Sequence, residues 1–179
     1  AIGPFRGGES SYFMSLNRNK QSVTLDLAHP RGKALFLDLV DHADVVVENF
    51  TPGTMTRLGL DYPVLRERNP RLIYCAISGF GATGPYADRP ALDVIVQAMG
   101  GIMSITGEPD RGPVRVGVSV GDIVAGLFAA SGLLAALHER STSGLGQLLD
   151  LSMLDCQVAL LENAFGRYFG TGETPTPLG

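Results

Sequence analysis

Two short apolar runs, Asp44–Glu48 (DVVVE) and Leu72–Ile77 (LIYCAI), do most to limit the architecture. Uninterrupted runs of this length suit strands covered on both faces, as in a parallel sheet; a half-solvated strand would alternate instead. Parallel neighbours need a crossover, and the intervening residues provide one. They read as a turn at Pro52–Gly53, a short helix, and a second helix around Tyr62–Arg68. Upstream, Gln21–Leu27 alternates Val23, Leu25 and Leu27 with Ser22, Thr24 and Asp26, the period of a half-buried strand. Pro30 then opens a helix where its missing N–H costs nothing, with Ala34, Leu35, Leu37, Leu39 and Val40 as its apolar face. The order strand–helix–strand–helix–strand predicts an α/β fold, a Rossmann-like, mostly parallel sheet with flanking helices.

The second half is more helical. Leu92–Met103 has a helical pattern broken by Gly100–Gly101, and residues 104–118 read as loop. Ser119–Ser141 is a long helix rich in Ala, Gly and Leu, whose small residues place it in the core or at an interface. A strand at Gln147–Leu151 leads into a last helix from Met153 to about Phe169. The 179 residues are enough for one domain or a piece of a larger one. A net charge of −4 with no Lys/Arg run argues against nucleic acid or an anionic membrane as main partner. The richest apolar run, Ile123 to Leu137, falls short of the ~18 residues that span a bilayer. The start has no basic segment followed by an apolar one, so it does not read as a signal peptide. Cys75 and Cys156 lie inside apolar stretches and are too few for a disulfide framework or a zinc site, in keeping with a reducing, cytoplasmic setting.

Candidate chemistry is sparse. Gly79-Phe80-Gly81-Ala82-Thr83-Gly84 spells the dinucleotide pattern G-x-G-x-x-G after a strand. That pattern works only if a helix starts at the third glycine, and here Pro85 and Pro90 leave no room for one. The segment instead reads as a tight loop at a strand's carboxyl end, where α/β folds bind ligands. His29, His42 and His138 have no metal-ligand spacing; the last two fall near helix ends, where a cation offsets the dipole. No Ser sits in a G-x-S-x-G elbow. The carboxylates say more. Ser152-Met153-Leu154-Asp155 is a capping box at the start of the last helix, and spacing alone favours that role. The same helix start keeps a carboxylate ionised, as a nucleophilic Asp must be. Asp122, at the start of the long helix, carries the same ambiguity, and Asp93 also opens a helix.

Several blocks together resemble the class III coenzyme A transferases, the group that includes formyl-CoA transferases, carnitine CoA-transferases and α-methylacyl-CoA racemases. They are Asn17-Arg18-Asn19-Lys20-Gln21-Ser22, the stretch from Ala43 through Glu48-Asn49-Phe50-Thr51-Pro52-Gly53, Asn69-Pro70-Arg71-Leu72-Ile73-Tyr74, Ser78-Gly79-Phe80-Gly81 with Thr83-Gly84-Pro85-Tyr86, and Gly144-Leu145-Gly146-Gln147. The resemblance covers almost the whole chain. It implies a carboxylate that attacks an acyl-CoA thioester, an aspartyl–acyl anhydride, and transfer of CoA to a small organic acid. CoA is then a substrate, with no metal and no further cofactor. The matching carboxylate is Asp155, and positions resembling CoA contacts are Leu25, Ala28, Asn49, Phe50, Thr51, Arg57, Ala91, Leu92 and Asp93. The racemases pair a His, just before the residue matching Asp93, with an Asp matching Asp122; here Leu92 stands in the His position and cannot transfer a proton. The family also implies interlocked homodimers. Residues 1–179 would form part of the large domain, without its opening strand or the smaller domain. The alternative to the transferase is a non-catalytic CoA-binding or assembly module of the same fold.

Overall fold

A computed structural model describes residues 3–177. A small hairpin, β1 (Phe5–Arg6) with β2 (Glu9–Ser10), leads into α1 (Ser11–Leu16), an N-terminal unit with no counterpart among the sequence expectations. Then come α2 (Pro30–Val40), β3 (Val45–Glu48), α3 (Thr54–Leu58), α4 (Tyr62–Arg68) and β4 (Ile73–Ser78). The second half supplies α5 (Asp93–Met99), a 3-10 turn at Ile102–Ile105, α6 (Val120–Ser143), β5 (Leu148–Ser152), α7 (Met153–Ala159) and α8 (Glu162–Thr171).

The sheet runs β3–β4–β5, all parallel, with Val46 opposite Tyr74 and Ala76 opposite Asp150. Central β4 is covered on both sides, as its apolar run requires. Tyr74 and Ala76 pack into one cluster with Val40, Met55, Leu60 and Leu65. Ile77 meets the other, built from Val96, Val124, Ala125, Met153 and Cys156 on α5, α6 and α7. The result is the expected α/β layer, with helices on both faces of a parallel sheet.

Four expectations need correction. Gln21–Leu27 forms no strand: alternation is a local property, a ladder needs a neighbour, and none of these residues pairs, with Val23 68% exposed. In β3 only one face is well covered. Val47, aligned with Cys75, lies at the sheet edge beyond α6 and is 54% exposed. The core face of α2 is Phe36, Leu37 and Val40, one step round the helix from Leu35 and Leu39, which are solvent-exposed. The last helix is two, α7 and α8, with the chain turning at Leu160–Leu161.

α6 divides its two faces by side-chain size. Gly121, Val124, Ala125, Ala129 and Ala136 are buried, while Ile123, Leu127 and Leu134 face outward. The helix exceeds the apolar run read from sequence and is long and apolar enough to cross a membrane, but its small-residue face is spent on the sheet. At its far end Arg140 closes the amino edge of that sheet. Nη1 donates to the Arg71 carbonyl at 2.9 Å, and Nη2 pairs with Asp44 Oδ1 at 2.7 Å. Beside it the Gly146 N–H donates to Pro70 O at 2.8 Å, in a space so tight that a Cβ on Gly146 would lie 1.9 Å from the Leu72 carbonyl oxygen.

Candidate active site

In a parallel layer the loops that follow the strands gather at one edge, and here they gather the polar chemistry. Asn49, Phe50, Thr51 and Pro52 follow β3; Ser78 and Gly79 end β4; Pro90, Ala91, Leu92 and Asp93 lead into α5; Asp122 and Met153 open α6 and α7. Together these residues line one open cleft of about 380 Å³.

The turn after β3 is fixed from within. Asn49 Nδ2 donates to the Ile77 carbonyl at 2.6 Å, and the Phe50 N–H donates to Glu48 Oε2 at 2.8 Å. With the backbone held, the Phe50 ring stays half in solvent, a flat apolar surface at the cleft. Thr51 Oγ1 lies 3.0 Å from Thr54 Oγ1, to which Arg57 Nη2 donates at 2.8 Å. Arg57 is exposed and outside the cleft wall, tethered one threonine away from it. Gly79 packs directly on Ala91, where a Cβ would meet the Ala91 Cβ at 2.3 Å, so the two ends of the connection between β4 and α5 close together.

Asp93 and Asp122 are the cleft's two carboxylates, and they differ. Asp93 is buried, and its oxygens are fully engaged: Oδ1 accepts the Gly121 N–H at 2.9 Å, and Oδ2 accepts Gln97 Nε2 at 2.8 Å and Arg115 Nη2 at 2.9 Å. Asp122 is open to the cleft. Crowding by protein, and then the neighbouring charge of Asp93, push its carboxyl above the ordinary Asp range, opposed by Arg115.

Asp155 is held in a different place. Ser152 Oγ accepts the Asp155 N–H at 3.1 Å, the first half of the capping box, and the adjoining Leu154 N–H donates to Gly79 O at 3.1 Å. Its side chain is exposed and does not belong to the cleft lining. Leu25 and Ala28 are also outside it. They precede α2 in a turn closed by Asp26, whose Oδ1 accepts the Ala28 N–H at 3.0 Å. Of the sequence-derived positions the cleft therefore unites Asn49, Phe50, Thr51, Ala91, Leu92 and Asp93, and leaves out Leu25, Ala28, Arg57 and Asp155.

The glycine pattern is a loop, not a helix start. Both oxygens of Asp150 accept the Ala82 N–H, at 3.1 and 2.9 Å, and Ser78 Oγ accepts that of Gly81 at 2.9 Å. Phe80 packs on Tyr86 at 5.4 Å, and Arg89 covers the Tyr86 ring at 4.5 Å. His29 caps α2, its Nδ1 accepting the Arg31 N–H at 3.2 Å. Among the described residues no three His, Cys, Asp or Glu side chains converge as a metal site. Sequence reasoning missed Arg115. The only signal for it is a lone cation set in the alternating valines of Val114-Arg115-Val116-Gly117-Val118.

Comparison with known proteins adds independent findings. The model of the family described as CoA-transferase family III matches residues 1–179. An acetyl-CoA:oxalate CoA-transferase from Acetobacter aceti is 47% identical over 99% of this chain and 46% of its own length. A succinate–glutarate CoA-transferase from Agrobacterium fabrum is 49% identical over 95% of this chain and 42% of its own. Among solved structures, a CAIB/BAIF family protein from Brucella suis superposes with a TM-score of 0.93 at 44% identity, covering 97% of this chain and 47% of that one. The chain thus spans a little under half the length of the curated relatives it matches.

Proposed function

The chain belongs to CoA-transferase family III, and we propose that it carries the nucleophile and part of the CoA cleft of an enzyme that moves CoA from an acyl-CoA thioester to a small organic acid. The observation that carries this reading is the union, in one cleft, of six positions expected to meet CoA with the open carboxylate of Asp122. The acids named for the two relatives, oxalate and glutarate, support a small organic acid as acceptor. Neither metal nor redox group is called for, since every step exchanges one acyl–heteroatom bond for another.

In this reading an Asp122 oxygen attacks the thioester carbon, the C–S bond breaks, and the CoA thiolate leaves an acyl–aspartyl anhydride. The thiolate then attacks the Asp122 carboxyl carbon, forming an aspartyl-CoA thioester and releasing the donor acid. The acceptor carboxylate attacks that thioester carbonyl, giving a new anhydride and freeing the thiolate. Thiolate attack on the acceptor's carbonyl completes the exchange and restores Asp122. Anhydride and thioester are both energy-rich, so little free energy is lost between steps, provided water is kept away. Asp122 replaces Asp155 as the leading candidate because an acyl group in the cleft meets the former's side chain, while the latter's lies outside the lining. Phe50 offers a face for the adenine, and Arg57, tethered through Thr54, a cation for phosphate. Racemisation is disfavoured because Leu92 holds the position where that chemistry needs a base. The reading also includes a cytoplasmic setting and a homodimer, the latter supported by the outward apolar stripe of α6.

Asp122→Asn and Asp155→Asn in the complete protein, incubated with acyl-CoA thioesters and trapped with hydroxylamine, test the assignment. Loss of trapping and turnover in Asp122→Asn alone supports it. Loss in Asp155→Asn alone returns the role to that residue. No trapping even in the unaltered protein favours the binding module.

A further inference from the structure

We propose that Arg115 is a specificity-determining residue of this site: its guanidinium receives the second carboxylate of a dicarboxylic acid whose first carboxylate exchanges CoA. This deepens the transferase reading by naming its substrate class, and it rests on that reading.

The cleft is short of cations. Its lining holds the carboxylates of Asp93 and Asp122 among apolar and small polar residues, with no Lys or Arg. A small acid that enters as a dianion needs a positive group for the end that does not react, because burying that end otherwise strips its hydration uncompensated. Three arginines neighbour the loops that form the cleft. Arg57 is tied to Thr54 beyond the turn after β3, where the phosphates of CoA are expected. Arg89 covers the Tyr86 ring at 4.5 Å, on the loop before Pro90. Arg115 alone of the three is bonded to the lining itself, through Nη2, which donates to Asp93 Oδ2 at 2.9 Å.

That bond leaves most of the cation available. A guanidinium carries five N–H groups in a planar fork, and among the described residues Arg115 makes no other hydrogen bond. Its side chain is 50% exposed and that of Asp93 only 8%, so the buried carboxylate grips one nitrogen while part of the fork stays in solvent. The grip is itself fixed. Asp93 Oδ2 also accepts Gln97 Nε2 at 2.8 Å, and Gln97 fastens the segment that carries Arg115, accepting the Val116 N–H at 2.9 Å and donating to Val118 O at 3.2 Å. An arginine held this way is pre-organised for a second carboxylate, with less side-chain freedom left to lose on binding. Val114 and Val118, exposed in the same segment, offer apolar surface to a short methylene chain. Arg115 also draws the Asp122 carboxyl down, against burial and the charge of Asp93, so its field reaches the cleft.

The test is steady-state transfer by the complete protein, from the acyl-CoA it uses best, to glutarate or to pentanoate, which has a methyl group in place of the second carboxylate. The unaltered protein is expected to favour glutarate. Arg115→Gln is expected to cut the ratio of kcat/KM for glutarate over pentanoate by about 10–100-fold, chiefly through KM for glutarate, the scale of a lost hydrogen bond to a charged group. Arg115→Lys keeps the charge without the fork and recovers part of the ratio. A ratio that Arg115→Gln leaves in place overturns the proposal even if turnover falls, because losing a merely structural contact slows both acids alike. An unaltered protein with no preference for glutarate overturns it too. Should Arg115→Gln not fold, Arg115→Lys decides: a lowered ratio supports the proposal, and one unmoved from wild type overturns it. Failure to transfer CoA to either acid from any acyl-CoA is a separate result that removes the transferase reading.

Discussion

Arg140 and Asp44, 96 positions apart, meet at 2.7 Å across the amino edge of the sheet, yet the pair is lopsided: the Arg140 side chain is 10% exposed and that of Asp44 is 77%. Removing the guanidinium also orphans the Arg71 carbonyl, whereas removing the carboxylate returns a water-facing charge to water. Arg140→Met is therefore expected to cost about 1–3 kcal/mol, and Asp44→Asn less than about 1 kcal/mol. Urea unfolding of the two variants checks the asymmetry; equal losses would refute it.

Asp122→Asn should stabilise the fold at neutral pH. The Asp122 carboxyl binds its proton more tightly in the folded chain than in the unfolded one, because its folded pKa is raised. Its contribution to stability is thus greatest below the unfolded Asp value of about 3.9 and is lost as pH rises through the folded value. Asparagine removes that loss, so the variant melts higher than wild type at pH 7, and the gain shrinks toward zero at low pH. Melting curves at neutral and acid pH decide it.

Two glycines should respond in opposite ways to alanine. At Gly146 the new methyl collides with the Leu72 backbone and breaks the β4–β5 start, and we expect no folded protein. Gly126, inside α6, has no atom within 4 Å of where its Cβ would be, so alanine adds about 0.5–1 kcal/mol of helix stability. Soluble yield for the first and thermal melts for the second are the measurements.

Gln157 is fully buried, and among the described residues neither its oxygen nor its nitrogen has a hydrogen-bond partner. Methionine has similar length and no amide to desolvate, so Gln157→Met is expected to stabilise the fold by about 1–3 kcal/mol. Chemical denaturation would expose an error in sign.

What was legible in the sequence followed from interactions that are local or set by periodicity. β4 reads as a strand buried on both faces because its residues are apolar without interruption, and Tyr74 and Ile77 do enter opposite cores. The capping bond from Asp155 to Ser152 was equally plain, since both partners lie within one helical turn. Gln21–Leu27 misled because its alternation carries no information about whether a neighbour pairs with it. The site was harder for a related reason. Asp93, Asp122 and Asp155 each open a helix, and only their placement in space separates a carboxylate that caps a distant helix, one that faces a cleft and one outside its walls. Arg115 was invisible because its partner sits 22 residues away.

The division between the sheet's two ends has an evolutionary consequence. At one margin the register is locked by Arg140, Gly146 and the backbone they grip, so drift there is punished by misfolding. At the other, the loops after β3 and β4 are anchored by a few bonds near their bases, leaving residues such as Phe50 and Leu92 unencumbered. Lineages descending from this scaffold can therefore rewrite those tips while inheriting the foundation unchanged.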